Sequence, residues 1–205
     1  ALGDDMRILR TMIDELEGAS YSVYAKLVDA PDYGVPQLRQ RLILIAFRDG
    51  LDFQWPQAVE EHTTVDQAIG DIPEVEGGWR PEGGAEGFIT YRPNRKKSHP
   101  FVIDMRSGLT RADSGRLYDH ITRPVRDDDL KIFQQMDSST KYNEIDPELR
   151  RYRDDIFVDK YKRLDPDKPS RAITAHIAKD GYWYIHPSQH RTLTVREAAR
   201  LQTFP

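Results

Sequence analysis

The amino-acid sequence predicts an α/β chain, in which the edge of a sheet covered on both faces leads into a smaller, irregular, mainly β region. Three observations predict it. Apolar residues recur at helical spacing near the N-terminal end, an unbroken apolar run follows, and a Pro- and Gly-rich excursion separates both from a second regular stretch.

Leu9, Met12, Ile13 and Leu16 share one helical stripe over residues 6–16, with Gly18 as a stop. Residues 21–28 are rich in β-formers, and residues 29–36 carry two prolines and a glycine as a turn would. Residues 42–47 (Leu-Ile-Leu-Ile-Ala-Phe) read as a fully buried strand. Beyond Gly50, Thr64 or Asp66 can cap a short helix reaching Ile69, and residues 71–87 hold Pro73, Pro81 and five glycines. Short strands are expected at 88–91 and 101–105, and a helix at 127–136 burying Leu130, Ile132 and Phe133. Residues 137–153 read as loop and helix fragments. Residues 172–177 and 182–185 flank a Lys179-Asp180-Gly181 turn and predict a β-hairpin. Thr194 followed by Glu197 has the form of a capping box, opening a helix that Pro205 would end. These signals divide the chain into residues 1–50, 51–168 and 169–205.

Composition narrows the chemistry. There is no cysteine, which excludes disulfides, thiolate metal sites and a thiolate nucleophile within these residues. The formal net charge of −4 argues against an indiscriminate nucleic-acid coat. Between Arg92 and Arg126, however, nine Lys and Arg residues face only Asp104, Asp113 and Asp119, so the middle of the chain is locally basic. The acidic run Asp127-Asp128-Asp129 fits a solvated face or a helix N-terminus. His176 and His186 have no metal-spaced partners, so hydrogen-bonded roles are expected and no metal site is assigned. No apolar run approaches the roughly 20 residues of a membrane span, and the N-terminal segment lacks signal-peptide character; a cytoplasmic protein is the expectation.

Two blocks go beyond generic folding signals. One is Asp32-Tyr33-Gly34-Val35-Pro36-Gln37-Leu38-Arg39-Gln40-Arg41, feeding the apolar run. The other is Ile185-His186-Pro187 followed by Arg191-Thr192-Leu193-Thr194-Val195-Arg196-Glu197-Ala198-Ala199-Arg200-Leu201-Gln202-Thr203-Phe204-Pro205. In order, they resemble the eighth and ninth conserved motifs of bacterial DNA (cytosine-5) methyltransferases, and residues 71–152 would be the variable target-recognition region between them. The resemblance implies the edge of a Rossmann-like methyltransferase sheet joined to a target-recognition domain. It also implies a reaction in which a cytosine is flipped from duplex DNA and methylated at carbon 5 from S-adenosylmethionine.

By that similarity Arg41 contacts the flipped cytosine, with Arg39 beside it on the base or the adjacent phosphate. Alternate strand residues share a face, and a planar, permanently charged guanidinium suits a carbonyl oxygen that gains negative charge. Read without the family, the same pair fits a solvated edge strand. Gln37 would continue that face, supporting the backbone or the DNA. Arg92, Asn94, Arg95, Lys96 and Lys97 are the candidate phosphate and base contacts. Arg191, Thr194 and Glu197 resemble a structural brace.

The family's Pro-Cys, Phe-x-Gly-x-Gly and Glu-Asn-Val motifs are absent from these residues. The expectation is therefore a piece of a longer enzyme, inactive alone, with S-adenosylmethionine held mainly by residues elsewhere. Its expected partners are double-stranded DNA and the N-terminal catalytic portion of the same enzyme, with no membrane; an associated restriction endonuclease stays open. Two alternatives also stay open: a non-catalytic DNA-binding or assembly subunit of a split methyltransferase, and an RNA cytosine-5 methyltransferase relative.

Overall fold

The computed structural model describes residues 6–48, 50–92, 99–153, 155, 160–178 and 181–205. Helix α1, Arg7–Gly18, turns Leu9, Ile13 and Leu16 inward, with Leu9 buried and the other two half-buried, and packs against strand β1, Tyr21–Asp29. β1 pairs antiparallel with β3, Gln40–Arg48, so that Val28 faces Arg41 and Tyr24 faces Ile45. The chain turns between them through a 3-10 segment, Ala30–Tyr33, and Gly34 at φ 82°, a left-handed position that suits glycine. Two-residue strand β2, Gln37–Leu38, pairs in parallel with β6, Ser170–Arg171, tying the C-terminal third to the first block.

The run expected as a fully buried strand is instead at most half-buried, and Ile43 is 38% exposed. Among the described residues β1 and β3 have only each other as ladder partners, so the run lies in a two-stranded ribbon and not within a wider sheet. No parallel sheet of the Rossmann kind is seen among them, only three two-stranded pairings, of which the short β2–β6 pair alone is parallel.

In the middle region α2, Val65–Ile69, begins at Thr64, whose hydroxyl accepts from the Gln67 amide at 3.3 Å while the Gln67 side chain accepts from the Thr64 amide at 2.9 Å. This reciprocal capping box selects Thr64 over Asp66. β4, Phe88–Thr90, pairs antiparallel with β5, Arg116–Tyr118. Residues 101–105, expected as a strand, lie in helix α3, Pro100–Met105. Pro100 at the first turn presets φ and His99 caps the Phe101 amide, start signals that override the β-preference of Val102 and Ile103. With helices at Val65–Ile69, Pro100–Met105 and Asp127–Gln135 and two strands of three residues each, the region is irregular but not mainly β.

Helix α4, Asp127–Gln135, buries Ile132 and Phe133 completely and Leu130 partly. Its acidic first turn is not wholly solvated. Asp129 is 0% exposed, accepting hydrogen bonds from the Tyr161 hydroxyl at 2.6 Å and the Tyr182 hydroxyl, and pairing with Arg151 at 3.1 Å. At the other end Arg163, itself buried, donates to the carbonyls of Phe133 and Met136, neutralising the helix C-terminus.

The hairpin expected over 172–185 does not form among the described residues. Two 3-10 segments, Ala175–Ala178 and Gly181–Trp183, stand in its place, and residues 179 and 180 of the expected turn lie outside the described set. Tertiary partners take the strand-forming groups: Ile185 bridges Arg163 and Thr192. The Tyr184 hydroxyl donates to the Ala172 carbonyl at 2.9 Å and accepts from the Thr174 amide at 3.1 Å, replacing a ladder by one side chain. Helix α5, Val195–Arg200, opens with the Thr194–Glu197 capping box and stops before Pro205, with Thr203 at φ 62°. No helix among the described residues is long and apolar enough to cross a membrane.

One core joins Val65, Ile69, Tyr91 and Leu117 to Ile173, Tyr184, Leu193 and Leu201, so residues 51–168 and 169–205 share an interior. A second gathers Ile132, Phe133, Tyr142 and Tyr161 around Ile185. Between them runs a polar strap. Arg191, 1% exposed, meets Glu197, 0% exposed, through two parallel hydrogen bonds of 2.8 and 2.7 Å, and its Nε donates to the Val75 carbonyl at 2.9 Å. His120, also 0% exposed, donates from Nε2 to the Pro73 carbonyl at 2.9 Å and accepts at Nδ1 from the Thr194 hydroxyl at 3.2 Å. Arg200 holds Asp71 at 2.6 Å, and Asp71 accepts from the Tyr91 hydroxyl. The 68–75 stretch is thereby fastened to α5. Replacing Glu197 by Ala leaves a buried guanidinium uncompensated and is expected to lower unfolding free energy by about 3–5 kcal/mol. Val195→Ala, on the exposed side of the same helix, should stay within about 0.5 kcal/mol; urea unfolding of both variants checks the contrast.

Candidate base cleft and nucleic-acid interface

Strand alternation positions the first site residues. Arg41, Ile43 and Ile45 share one face of β3, and with Arg39, just before that strand, they line an apolar cleft of about 450 Å³ together with Phe53 and Trp55. The same two arginines front a second opening of about 540 Å³, whose facing wall is Ile173, Thr174 and Ala175 with Gln202. That volume falls in the range of roughly 300–1,000 Å³ common for small-molecule sites. The wall reaches this position because β6 pairs with β2, delivering the residues after Arg171 opposite Arg39. Arg41 is exposed and donates only to its neighbour's carbonyl, Gln40, at 2.7 Å; Arg39 is half-buried. No Asp or Glu is among the described residues lining either opening. Two fixed cations therefore face a cleft without a counter-charge, a setting that favours an oxyanion or a phosphate.

Gln37, expected on the same face, is elsewhere. It is 1% exposed, within the β2–β6 pair, whose register turns it into the interior, and its buried side-chain nitrogen has no hydrogen-bond partner among the described residues. Arg92 is exposed and follows the buried Tyr91. Asn94, Arg95, Lys96 and Lys97 lie outside the described residues.

Arg191, Thr194 and Glu197 are brought together in the interior and touch no opening through a free charge. Burial pushes the Glu197 carboxyl upward, but the hydrogen bonds and charge of Arg191 more than offset it and leave the pKa below its ordinary value. His186, 6% exposed, accepts at Nδ1 from the amides of Ser188 and Gln189, which puts its proton on Nε2. Burial, aided by the charges of Arg191 and Arg163, pushes its pKa down to about 4 despite Glu197 at 3.6 Å, so at neutral pH the contact is not an ion pair. The side chain of His176 is outside the description. Among the described residues no group of three or more His, Asp or Glu is placed to hold a metal ion.

Sequence reasoning missed the wall at 173–175, which reads as a hairpin strand, the half-buried Asp71 and the buried polar centres His120, Asp129 and Arg163. Proximity in the chain to the second block was the signal available for the wall. Nothing local distinguishes Arg163 from a surface arginine.

The profile of the C-5 cytosine-specific DNA methylase family matches residues 2–205, and the chain belongs to that family. It is similar to the Type II methyltransferase M.Bpa9945I of Bacillus paralicheniformis, 32% identical over 209 residues that cover 93% of this chain and 45% of that protein. It is also similar to the Type II methyltransferase M.XorII of Xanthomonas oryzae pv. oryzae, 27% identical over 100% of this chain and 48% of that protein. The chain thus spans about half the length of these curated relatives. Its fold matches the crystal structure of an E. coli prophage protein assigned as a DNA modification methyltransferase, with a TM-score of 0.71 and 18% identity over 100% of this chain and 56% of that one.

The His186 environment has a measurable consequence. A folded-state pKa depressed from 6.5 to about 4 gives stability that is complete above pH 6.5 and is lost as pH falls toward 4. The loss should approach about 3 kcal/mol. His186→Asn keeps an acceptor near Nδ1 and removes the titration, so its stability difference from the parent should shrink over that window; a constant difference across urea titrations at pH 7 and 4.5 would contradict this.

Proposed function

We propose that this chain is the target-recognition and partial catalytic portion of a DNA (cytosine-5) methyltransferase. The carrying observation is the pair Arg39, between β2 and β3, and Arg41, in β3, which line one cleft that no carboxylate lines among the described residues. In the proposed complex a cytosine extruded from the duplex enters this cleft. Arg41 meets its carbonyl oxygen, where charge builds as the ring is attacked at carbon 6, and Arg39 meets the base or the neighbouring phosphate. Ile173, Thr174 and Ala175 close the opposite side and exclude water. The attacking thiolate has no source here, since the chain has no cysteine.

S-adenosylmethionine supplies the methyl group in this reading. The clefts described offer no glycine-rich strand-to-helix turn to receive it, so it is assigned to residues outside this chain and no step is derived through it. The proposed partners are duplex DNA and the catalytic portion that carries the thiolate.

Incubated with duplex DNA and labelled S-adenosylmethionine, the isolated chain is expected to transfer no methyl group, and clear transfer would overturn the division of labour proposed here. In the full-length parent, Arg41→Ala should lower kcat by about 10²–10³-fold, the scale of losing one donor to a developing oxyanion. Arg41→Lys should recover only part of it, because an ammonium lacks the planar fork. A parent that keeps full kcat without Arg41 would remove this residue from the site.

A further inference from the structure

Resting on that reading, we propose that Arg80 and Arg123 form a second anion-gripping station, holding the sugar–phosphate backbone of the DNA strand that leaves the base cleft. The cleft fronted by Arg39 and Arg41 does not end at its wall. Ile173, Ile177 and Gln202 also line a neighbouring groove of about 600 Å³ that runs along α5, so the two openings form one trough. Arg80 and Arg123 line the groove and both are exposed. They leave adjoining backbone segments, because the Thr122 amide donates to the Trp79 carbonyl at 3.2 Å and each arginine is the next residue after one partner of that bond.

Charge identifies the occupant. Among the described residues no Asp or Glu lines the groove, and neither Arg80 nor Arg123 has a side-chain hydrogen bond or ion pair. Several arginines elsewhere are matched: Arg151, Arg191, Arg196 and Arg200 each reach a carboxylate. In a chain of net charge −4, four guanidiniums without a carboxylate among the described residues lining one trough make it a locally positive surface that favours an anion. The groove is also apolar where it is open, with Val195 57% and Phe204 62% exposed. A strand of alternating phosphate and deoxyribose answers both features, charge to the arginines and sugar to the apolar rim. Its direction follows from continuity: a base seated at Arg41 carries its own strand out of the cleft, and the trough leads that strand to Arg80 and Arg123.

The test is the salt dependence of duplex binding by the full-length parent, followed by fluorescence anisotropy. Each phosphate neutralised contributes about 0.9 to the slope of log Kobs against log salt. Arg80→Ala/Arg123→Ala should therefore flatten the slope by about 2, and each single variant by about 1, which keeps the test open if the double variant folds poorly. Arg80→Lys/Arg123→Lys should retain the slope, since a phosphate contact needs the charge; retention in the Lys variant with loss in the Ala variant supports the station. A parent that binds and methylates DNA while the Ala variants keep its slope would overturn this inference alone, as it would if the groove were covered by protein. A parent that binds no duplex would overturn the functional reading beneath it.

Discussion

The buried bidentate pair between Arg191 and Glu197 is the contact on which the C-terminal two-thirds of this chain is organised. An ion pair at 1% and 0% exposure pays heavily in lost hydration, so its value lies in what else it holds. Glu197 also closes the capping box of α5, and Arg191 also reaches back to the Val75 carbonyl. One pair therefore sets the start of α5, the path of residues 73–75 and, through His120 and Thr194, the approach of residues 118–122. The openings at Arg39 and along α5 have fixed walls because that interior is fixed.

Arginine serves two opposite purposes in the molecule. Arg163, Arg191, Arg196 and Arg200 are surrounded by carbonyls and carboxylates and act as internal connectors. Arg39, Arg41, Arg80 and Arg123 line openings and reach no carboxylate among the described residues. A guanidinium can do either, since its five donors form a fork that fits carbonyl oxygens in the interior as well as anions outside. Burial and partner geometry, not residue type, separate the two groups.

Much of the fold was legible where signals are local. The stripe of α1, the β1 and β3 strands, the Thr64 and Thr194 capping boxes and the buried side of α4 all rest on neighbours within a few residues. Readings failed where distant groups compete. The β-rich 172–177 segment gives its hydrogen bonds to the Tyr184 side chain, and residues 101–105 yield to the Pro100 start signal. Asp129 looked solvated because sequence cannot reveal that two tyrosine hydroxyls and Arg151 converge on it. Likewise alternation put Gln37 with Arg39, whereas the β2–β6 pairing buries it.

The sequence alone determined that this chain belongs with the cytosine-5 methylases, that two strand-spaced arginines precede an apolar strand, and that no thiolate arises within these residues. Spacing and composition suffice for those conclusions because each concerns residues adjacent in the chain or absent from it. Tertiary structure decided which arginines keep an unmatched charge, and which wall faces Arg39 and Arg41. Both depend on segments more than a hundred residues apart being placed within a few ångströms, which the register of β2 on β6 and the buried Arg191–Glu197 pair accomplish.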